Sequence, residues 1–181
     1  MDEKRKTHIS KFLSLVLRHK PEEIGLTLDE NGWANVAALL ENAAKAGNDF
    51  TFEELAETVA TNDKKRFAFD ETQTKIRASQ GHSLKVEIGF EEKTPPAILY
   101  HGTAERNVKA ILESGLKKMA RHHVHLSSEP ETARSVGIRY GKPVIFKIET
   151  VSMLAENFKF YVSANDVWLV TEVPPKFLEV L

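Results

Sequence analysis

Phe67-Ala-Phe-Asp-Glu-Thr-Gln-Thr-Lys-Ile-Arg-Ala78 is the stretch on which the fold turns. Two short apolar alternations, Phe67 with Phe69 and Ile76 with Ala78, flank the polar turn Asp70 to Gln73, which is the pattern of a β-hairpin. What precedes it is helical. Ile9, Phe12, Leu13, Val16 and Leu17 recur at i, i+3, i+4, i+7 and i+8, a stripe that must face a core. Pro21 ends that helix, because the residue before a proline avoids the helical region. Leu26, Leu28 and Trp33 surround Asp29 to Gly32, a tight turn. A second helix is expected near Val36 to Ala44. Thr51-Phe-Glu-Glu54 is a capping box, and Phe52, Leu55 and Val59 give the third helix its buried face.

Three helices followed by a hairpin is the order of a winged helix. Downstream, Lys85 to Pro96 is acidic and ends in Pro-Pro, the composition of a strand edge and linker. Two lobes are expected, residues 1–94 and 95–181. The second lobe is richer in strands: Ala97 to Tyr100, Val124 to Leu126, Val144 to Ile148, Lys159 to Val162, Val167 to Val170 and Phe177 to Leu181. Thr103 is placed to cap a helix carrying Val108, Ile111 and Leu112, with Gly115 at its C-terminus. Pro130 opens a further helix through Ala133 and Val136. The expected class is α+β, with an N-terminal winged-helix lobe and a β-rich C-terminal lobe.

Composition sets the outer bounds. Of 181 residues, 41% are apolar and 28% charged, so a folded, core-forming protein is expected. There is no Cys, which excludes disulfides, thiolate metal sites and a Cys nucleophile. No apolar run reaches a membrane span and no signal-peptide core is present. A cytoplasmic location, compatible with the absence of Cys, and a monomeric state are the expectations. The net charge of −1 argues against nonspecific binding of long duplexes, which calls for a strongly basic protein. Any nucleic-acid contact should be local, a few residues on one phosphate.

Three polar strings are not explained by helix or strand periodicity: Leu17-Arg-His-Lys-Pro21, Ile76-Arg-Ala-Ser-Gln-Gly-His-Ser83 and Tyr100-His-Gly-Thr103. Arg18 and His19 close a helix, where cations simply suit the dipole. They also suit a phosphate, since Arg offers a planar fork and His a proton near neutral pH. Arg77 points opposite Ile76 and Ala78, as an ordinary exposed strand residue does. The Ser79 to Ser83 run that follows is a dense set of hydrogen-bonding groups fit for an anion-binding rim. Tyr100 to Thr103 reads as a strand-to-helix turn, with Gly102 for close ligand approach and His101 for a ribose hydroxyl. In Arg121 to His125, His123 and His125 share one strand face. Without Cys or a nearby carboxylate a zinc site is disfavoured, leaving a solvated basic edge or a ligand role for an inward-pointing His125 beside Leu126 and Ser127. Val136-Gly137 is expected to break a helix near its end, which leaves Arg139, rather than Arg134, aimed by a terminus. There is no G-x-G-x-x-G after a strand, no P-loop and no G-x-S-x-G.

Taken in order, these strings, with His123-Val-His-Leu-Ser127 and Val136-Gly-Ile-Arg-Tyr-Gly141, resemble the RNA 2′-phosphotransferase family, which includes the tRNA 2′-phosphotransferase of splicing. The resemblance covers nearly the whole chain. It implies a winged-helix lobe and an ADP-ribosyltransferase-like lobe, with NAD⁺ as cosubstrate and no metal. It also implies a two-step reaction. An internal RNA 2′-phosphate attacks the anomeric carbon of the nicotinamide ribose, and nicotinamide leaves. The ribose 2″-hydroxyl then attacks the phosphate, freeing 2′-OH RNA and ADP-ribose 1″,2″-cyclic phosphate. The family's Arg-His-Arg-Arg set carries over as Arg18, His19, Arg77 and Arg139. NAD⁺ falls to His101, Gly102, Thr103, His125, Leu126 and Ser127. The wider superfamily's His-Tyr-Glu triad corresponds to His101, His125 and Val167. The missing glutamate agrees with a phosphate nucleophile, which is already charged. Tyr140 stands where many members have His. Two other readings remain: an ADP-ribosyltransferase that caps nucleic-acid phosphate ends, and a non-enzymatic winged-helix nucleic-acid binder.

Overall fold

The computed structural model describes residues 1–181, which form two compact units, Met1–Gly89 and Phe90–Leu181. The architecture is mixed α and β, with six α-helices and four small antiparallel sheets. The boundary lies within the acidic Lys85 to Pro96 segment. It falls ahead of the expected 94/95 division because Glu91–Glu92 is a strand of the second unit, paired with Tyr161–Val162.

In the first unit, α1 spans Glu3–Arg18, β1 Ala34–Asn35, α2 Val36–Lys45, α3 Phe52–Ala60, β2 Phe67–Phe69 and β3 Lys75–Ala78. Asp2 caps α1 by accepting from the Arg5 N–H at 2.7 Å. The helix then buries Ile9, Leu13, Val16 and Leu17 completely. Each such side chain contributes about 1.5–3 kcal/mol, well above the few tenths expected of an exposed pair such as Lys6–Glu3. The apolar stripe therefore decides how α1 packs. The capping box of α3 is present in both directions: Thr51 Oγ1 accepts from the Glu54 N–H, and Glu54 Oε2 accepts from the Thr51 N–H. The hairpin forms with Phe67 opposite Ala78, Ala68 opposite Arg77 and Phe69 opposite Ile76. β1 adds to its other side, giving the order β1-β3-β2. Ile76 and Ala78 join the core, so Arg77 projects from the opposite face of the central strand.

In the second unit, β4 is Glu91–Glu92, β5 Ile98–Ala104, α4 Val108–Ser114, β6 Leu116–Lys117, β7 Val124–Leu126, α5 Pro130–Gly137, β8 Pro143–Glu149, α6 Thr150–Ala155, β9 Tyr161–Val162, β10 Trp168–Val170, β11 Glu172–Val173 and β12 Leu178–Val180. The sheets are β4-β9-β10-β7, β11-β6 and β12-β8-β5. Leu99, Leu126, Phe146, Ile148, Met153 and Phe160 are at the centre of the core. β6, β11 and α6 are too short for their periodicity to show in the sequence.

Two expectations are corrected here. Tyr100 to Thr103 is not a strand-to-helix turn: β5 continues through it to Ala104, paired residue for residue with β8. Nor does Thr103 cap a helix. Its hydroxyl instead accepts from Asn107 Nδ2 at 3.1 Å, and α4 begins without a side-chain cap. Gly115, at φ +78°, does close α4; a Cβ there would lie 2.3 Å from the Val173 carbonyl oxygen. No helix is long and apolar enough to cross a membrane.

Candidate functional site

In the first unit, the end of α1 meets the loop that follows β3. The Ser83 N–H donates to the Arg18 carbonyl at 3.0 Å. Ser83 Oγ lies 3.0 Å from His19 Nδ1, so the ring is latched by a hydroxyl. Arg18 reaches the Arg66 carbonyl at 3.5 Å, and its guanidinium carbon lies 5.7 Å from the centre of the Phe67 ring. The same Arg66 carbonyl accepts the Ser79 N–H at 2.8 Å. Arg18, His19 and the Ser79 to Ser83 loop are thus brought together. Arg77 stands on β3 immediately before this loop, its guanidinium carbon 4.5 Å from the centre of the Trp33 ring.

The loop is not uniformly a rim. Ser79 is buried, and its hydroxyl donates to the Lys65 carbonyl at 2.8 Å. His82 is also buried, beside Gly32. These two side chains brace the loop from inside, and Ser83 alone of the three is exposed. Density of polar residues in the sequence could not separate the struts from the exposed group.

In the second unit, the Tyr-His-Gly-Thr and His-Val-His-Leu-Ser strings lie side by side. Tyr100 and Ser127 exchange backbone hydrogen bonds at 2.8 and 2.9 Å. His101 Nδ1 lies 3.0 Å from the His125 carbonyl. A carbonyl only accepts, so the proton sits on Nδ1, and Nε2 of the neutral ring carries a lone pair. Burial lowers the His101 pKa, opposed by that hydrogen bond and reinforced by the positive charge of Arg121. The ring is therefore held neutral, as an acceptor.

The glycine of this string has a different purpose from the one expected. A Cβ on Gly102 would sit 1.7 Å from the Ala133 carbonyl oxygen. Gly102 lets α5 approach β5, and the space in front of its Cα is filled by helix backbone rather than by a ligand. Gly137 repeats the device, since its Cβ would lie 2.8 Å from the Thr103 carbonyl oxygen. The α-helix does end at Gly137, as its sequence suggests. Gly137 is the last residue of α5, and the chain continues as a 3₁₀ turn, Ile138–Tyr140, that ends at Gly141. Arg139 is exposed on that turn, whereas Arg134 is drawn toward Glu131 at 3.9 Å.

His125 does not point inward beside Leu126. Val124 and Leu126 enter the core, and strand alternation turns His125 to the other face. There Nδ1 accepts from Arg121 Nη1 at 3.1 Å. The Leu126 side chain is core, and Ser127 has both backbone groups committed to Tyr100. His123 packs edge-on against Phe90 and near Tyr161, at 5.8 and 5.7 Å between ring centres. Burial, then neighbouring His122 and Lys118, lowers its pKa. No group of three or more His, Asp or Glu side chains is arranged to hold a metal. The residues that sequence reasoning passed over are Trp33 and Arg121. Trp33 carried no signal beyond its place after a turn, and Arg121 none beyond its place in a basic run.

Each unit of this α+β protein thus carries its own arginine and histidine cluster, built where two distant strings of the sequence meet. The sequence pattern of the RNA 2′-phosphotransferase, Tpt1 / KptA family matches residues 4–172, and the chain belongs to that family. It is 55% identical over 179 residues to the probable RNA 2′-phosphotransferase of Flavobacterium johnsoniae, covering 99% of this chain and 98% of that one. It is 52% identical over 181 residues to the protein of the same name from Trichormus variabilis, with both chains covered in full. Against the one from Fusobacterium nucleatum it is 52% identical over 172 residues, 94% of this chain and 96% of that one.

Proposed function

We propose that this protein is an NAD⁺-dependent RNA 2′-phosphotransferase acting on an internal 2′-phosphate of a tRNA-like RNA, with a winged-helix first lobe and an ADP-ribosyltransferase-like second lobe. Family membership supports the transferase reading. The observation that carries the chemistry is the latch in the first unit: Ser83 ties His19 to the end of α1, and Arg77 is held by an indole face instead of a carboxylate. A guanidinium held by its face keeps its in-plane N–H donors for phosphate oxygens.

NAD⁺ supplies an anomeric carbon bearing a leaving group, to which the RNA phosphate is transferred. In this reading Arg18, Arg77 and Arg139 bind phosphate oxygens and stabilise the charge that develops on them. Each charge-assisted hydrogen bond is worth roughly 1.5–3 kcal/mol. His19 hydrogen-bonds the phosphate and moves a proton in the second step. The second unit offers a donor set that fits NAD⁺ in part. His101 Nε2 suits a ribose hydroxyl. The backbone of Gly102 faces the same edge of β5 on which Tyr100 pairs with Ser127, because antiparallel strands turn alternate residues to the same side. Thr103, Leu126 and Ser127 serve that edge as framework, and His125 contributes the carbonyl that orients His101.

The test is a short RNA with one internal 2′-phosphate, incubated with and without NAD⁺ and without added metal, its products resolved by mass. NAD⁺-dependent loss of the phosphate with release of ADP-ribose 1″,2″-cyclic phosphate is expected. Accumulation of an ADP-ribosylated RNA would move the reading to an end-capping ADP-ribosyltransferase. No NAD⁺ consumption, with tight and salt-sensitive duplex binding, would leave a nucleic-acid binder.

A further inference from the structure

The turn before β1 is built around one carboxylate. Asp29 Oδ1 accepts from the N–H groups of Asn31 at 3.0 Å and Trp33 at 2.9 Å. The Asp29 N–H in turn donates to the Trp33 carbonyl at 2.9 Å. Gly32 supplies the left-handed residue, φ +78°, and is pressed into the structure: a Cβ there would lie 3.2 Å from Ile88 Cδ1 and 3.4 Å from His82 Nε2. The turn is thereby braced against the loop that follows Arg77. It leads directly into β1, where Ala34 pairs with Ile76 and Asn35 with Lys75. Continuing that antiparallel register by one residue sets Trp33 opposite Arg77. The guanidinium lies over the indole at 4.5 Å. The turn's other carboxylate oxygen, Asp29 Oδ2, accepts from Lys75 Nζ at 3.5 Å, two residues before Arg77 on β3.

We propose that Trp33 is a positioning residue for Arg77, holding the guanidinium by its face so that its N–H edge is presented to the substrate phosphate. The physical advantage is specific. A carboxylate partner would orient Arg77 by occupying the fork that a phosphate needs. An aromatic face attracts the cation through its quadrupole and leaves every in-plane donor available. The Asp29 turn, Gly32 and the β1–β3 register then act to place one ring. This inference rests on the reading of Arg77 as a phosphate-binding residue.

The experiment measures kcat/KM on the 2′-phosphorylated RNA with NAD⁺, and the thermal midpoint, for wild type, W33Y, W33F, W33L, R77A and the double variant W33L/R77A. W33L is expected to lose about tenfold or more in kcat/KM. The aromatic variants should fall in the order of ring quadrupole, Trp above Tyr and Phe, and W33F should stay well above W33L. In the R77A background, W33L should cause no further loss, because the residue acts through Arg77. A purely structural Trp33 would lower stability and would cost the same activity with or without Arg77. Wild-type kcat/KM in W33L beside an inactive R77A overturns the positioning role alone. Full turnover in R77A overturns the site reading and this proposal with it. If W33L fails to fold, the Tyr and Phe variants decide: a flat series overturns the proposal, and a graded one at constant midpoint supports it.

Discussion

His19 and His101 stand in similar short polar strings, yet the two units hold them in opposite ways. His19 closes a helix and is latched by the hydroxyl of Ser83, which can donate or accept. His101 lies within a strand, and its Nδ1 meets the His125 carbonyl, which can only accept. The first arrangement can accept a proton from the ring or donate one to it, which suits the proton transfer proposed for His19. The second fixes one tautomer, and burial keeps it neutral. The difference teaches that the partner of an imidazole, more than its sequence neighbours, determines whether it serves as a proton carrier or a fixed acceptor.

The largest test of this contrast concerns charge rather than imidazole. Arg77→Ala and Arg139→Ala should each lower turnover about 10²–10³-fold while leaving the thermal midpoint near wild type. Arg77 projects from its sheet and Arg139 is exposed on a turn, so neither supports a core. Turnover retained in both would remove the phosphate assignment.

Gly102→Ala should act in the opposite sense, through stability. Its Cβ would collide with helix backbone, and a loss of about 3 kcal/mol is expected in denaturant unfolding. Gly25→Ala, with nothing within 4 Å and only its φ of +62° to strain, should cost about 1 kcal/mol. Equal losses would mean that α5 can back away from β5.

Ser83→Ala probes the latch directly. It removes the hydroxyl at His19 but keeps the backbone bond to Arg18, so about a tenfold loss in kcat with little change in midpoint is expected. An unchanged kcat would mean that His19 needs no latch.

The smallest effect is a pH dependence. His101 has a folded pKa lowered from its ordinary 6.5. Above that value neither state holds the proton, so His101 contributes no pH dependence. As pH falls below about 6.5 the unfolded chain binds the proton first, and stability declines until the folded pKa is passed. His101→Gln should flatten this acid-side slope in urea midpoints taken across that range. His123, lowered by burial in the same direction, should leave a residual slope. An identical profile in wild type and variant would show that His101 titrates normally.

Much of this was legible in the chain. The α1 stripe, the capping box at Thr51 and the Phe67 to Ala78 hairpin were readable because each is a local pattern of period 3.6, a fixed spacing or period 2. The polar strings proposed for the chemistry were also visible, as clusters that periodicity does not explain. What misled was glycine. Gly102 looks like turn punctuation, yet it is small for the sake of a helix backbone that packs against it from elsewhere, whereas Gly137 does end α5 and is small for such a contact besides. Direction misled as well: His125 is turned away from the core by the alternation that buries Val124 and Leu126.

By itself, then, the sequence determined the helices and hairpin of the first unit, the strand-rich character of the second and the polar strings proposed as the site, since these follow from side chains a few positions apart. Only the tertiary structure decided that Tyr100 to Thr103 is strand rather than turn, that Ser83 meets His19, that His101 is tied to His125 and that Trp33 lies beneath Arg77. Those contacts join residues far apart in the chain, and no local pattern records a partner that arrives only when the core has closed.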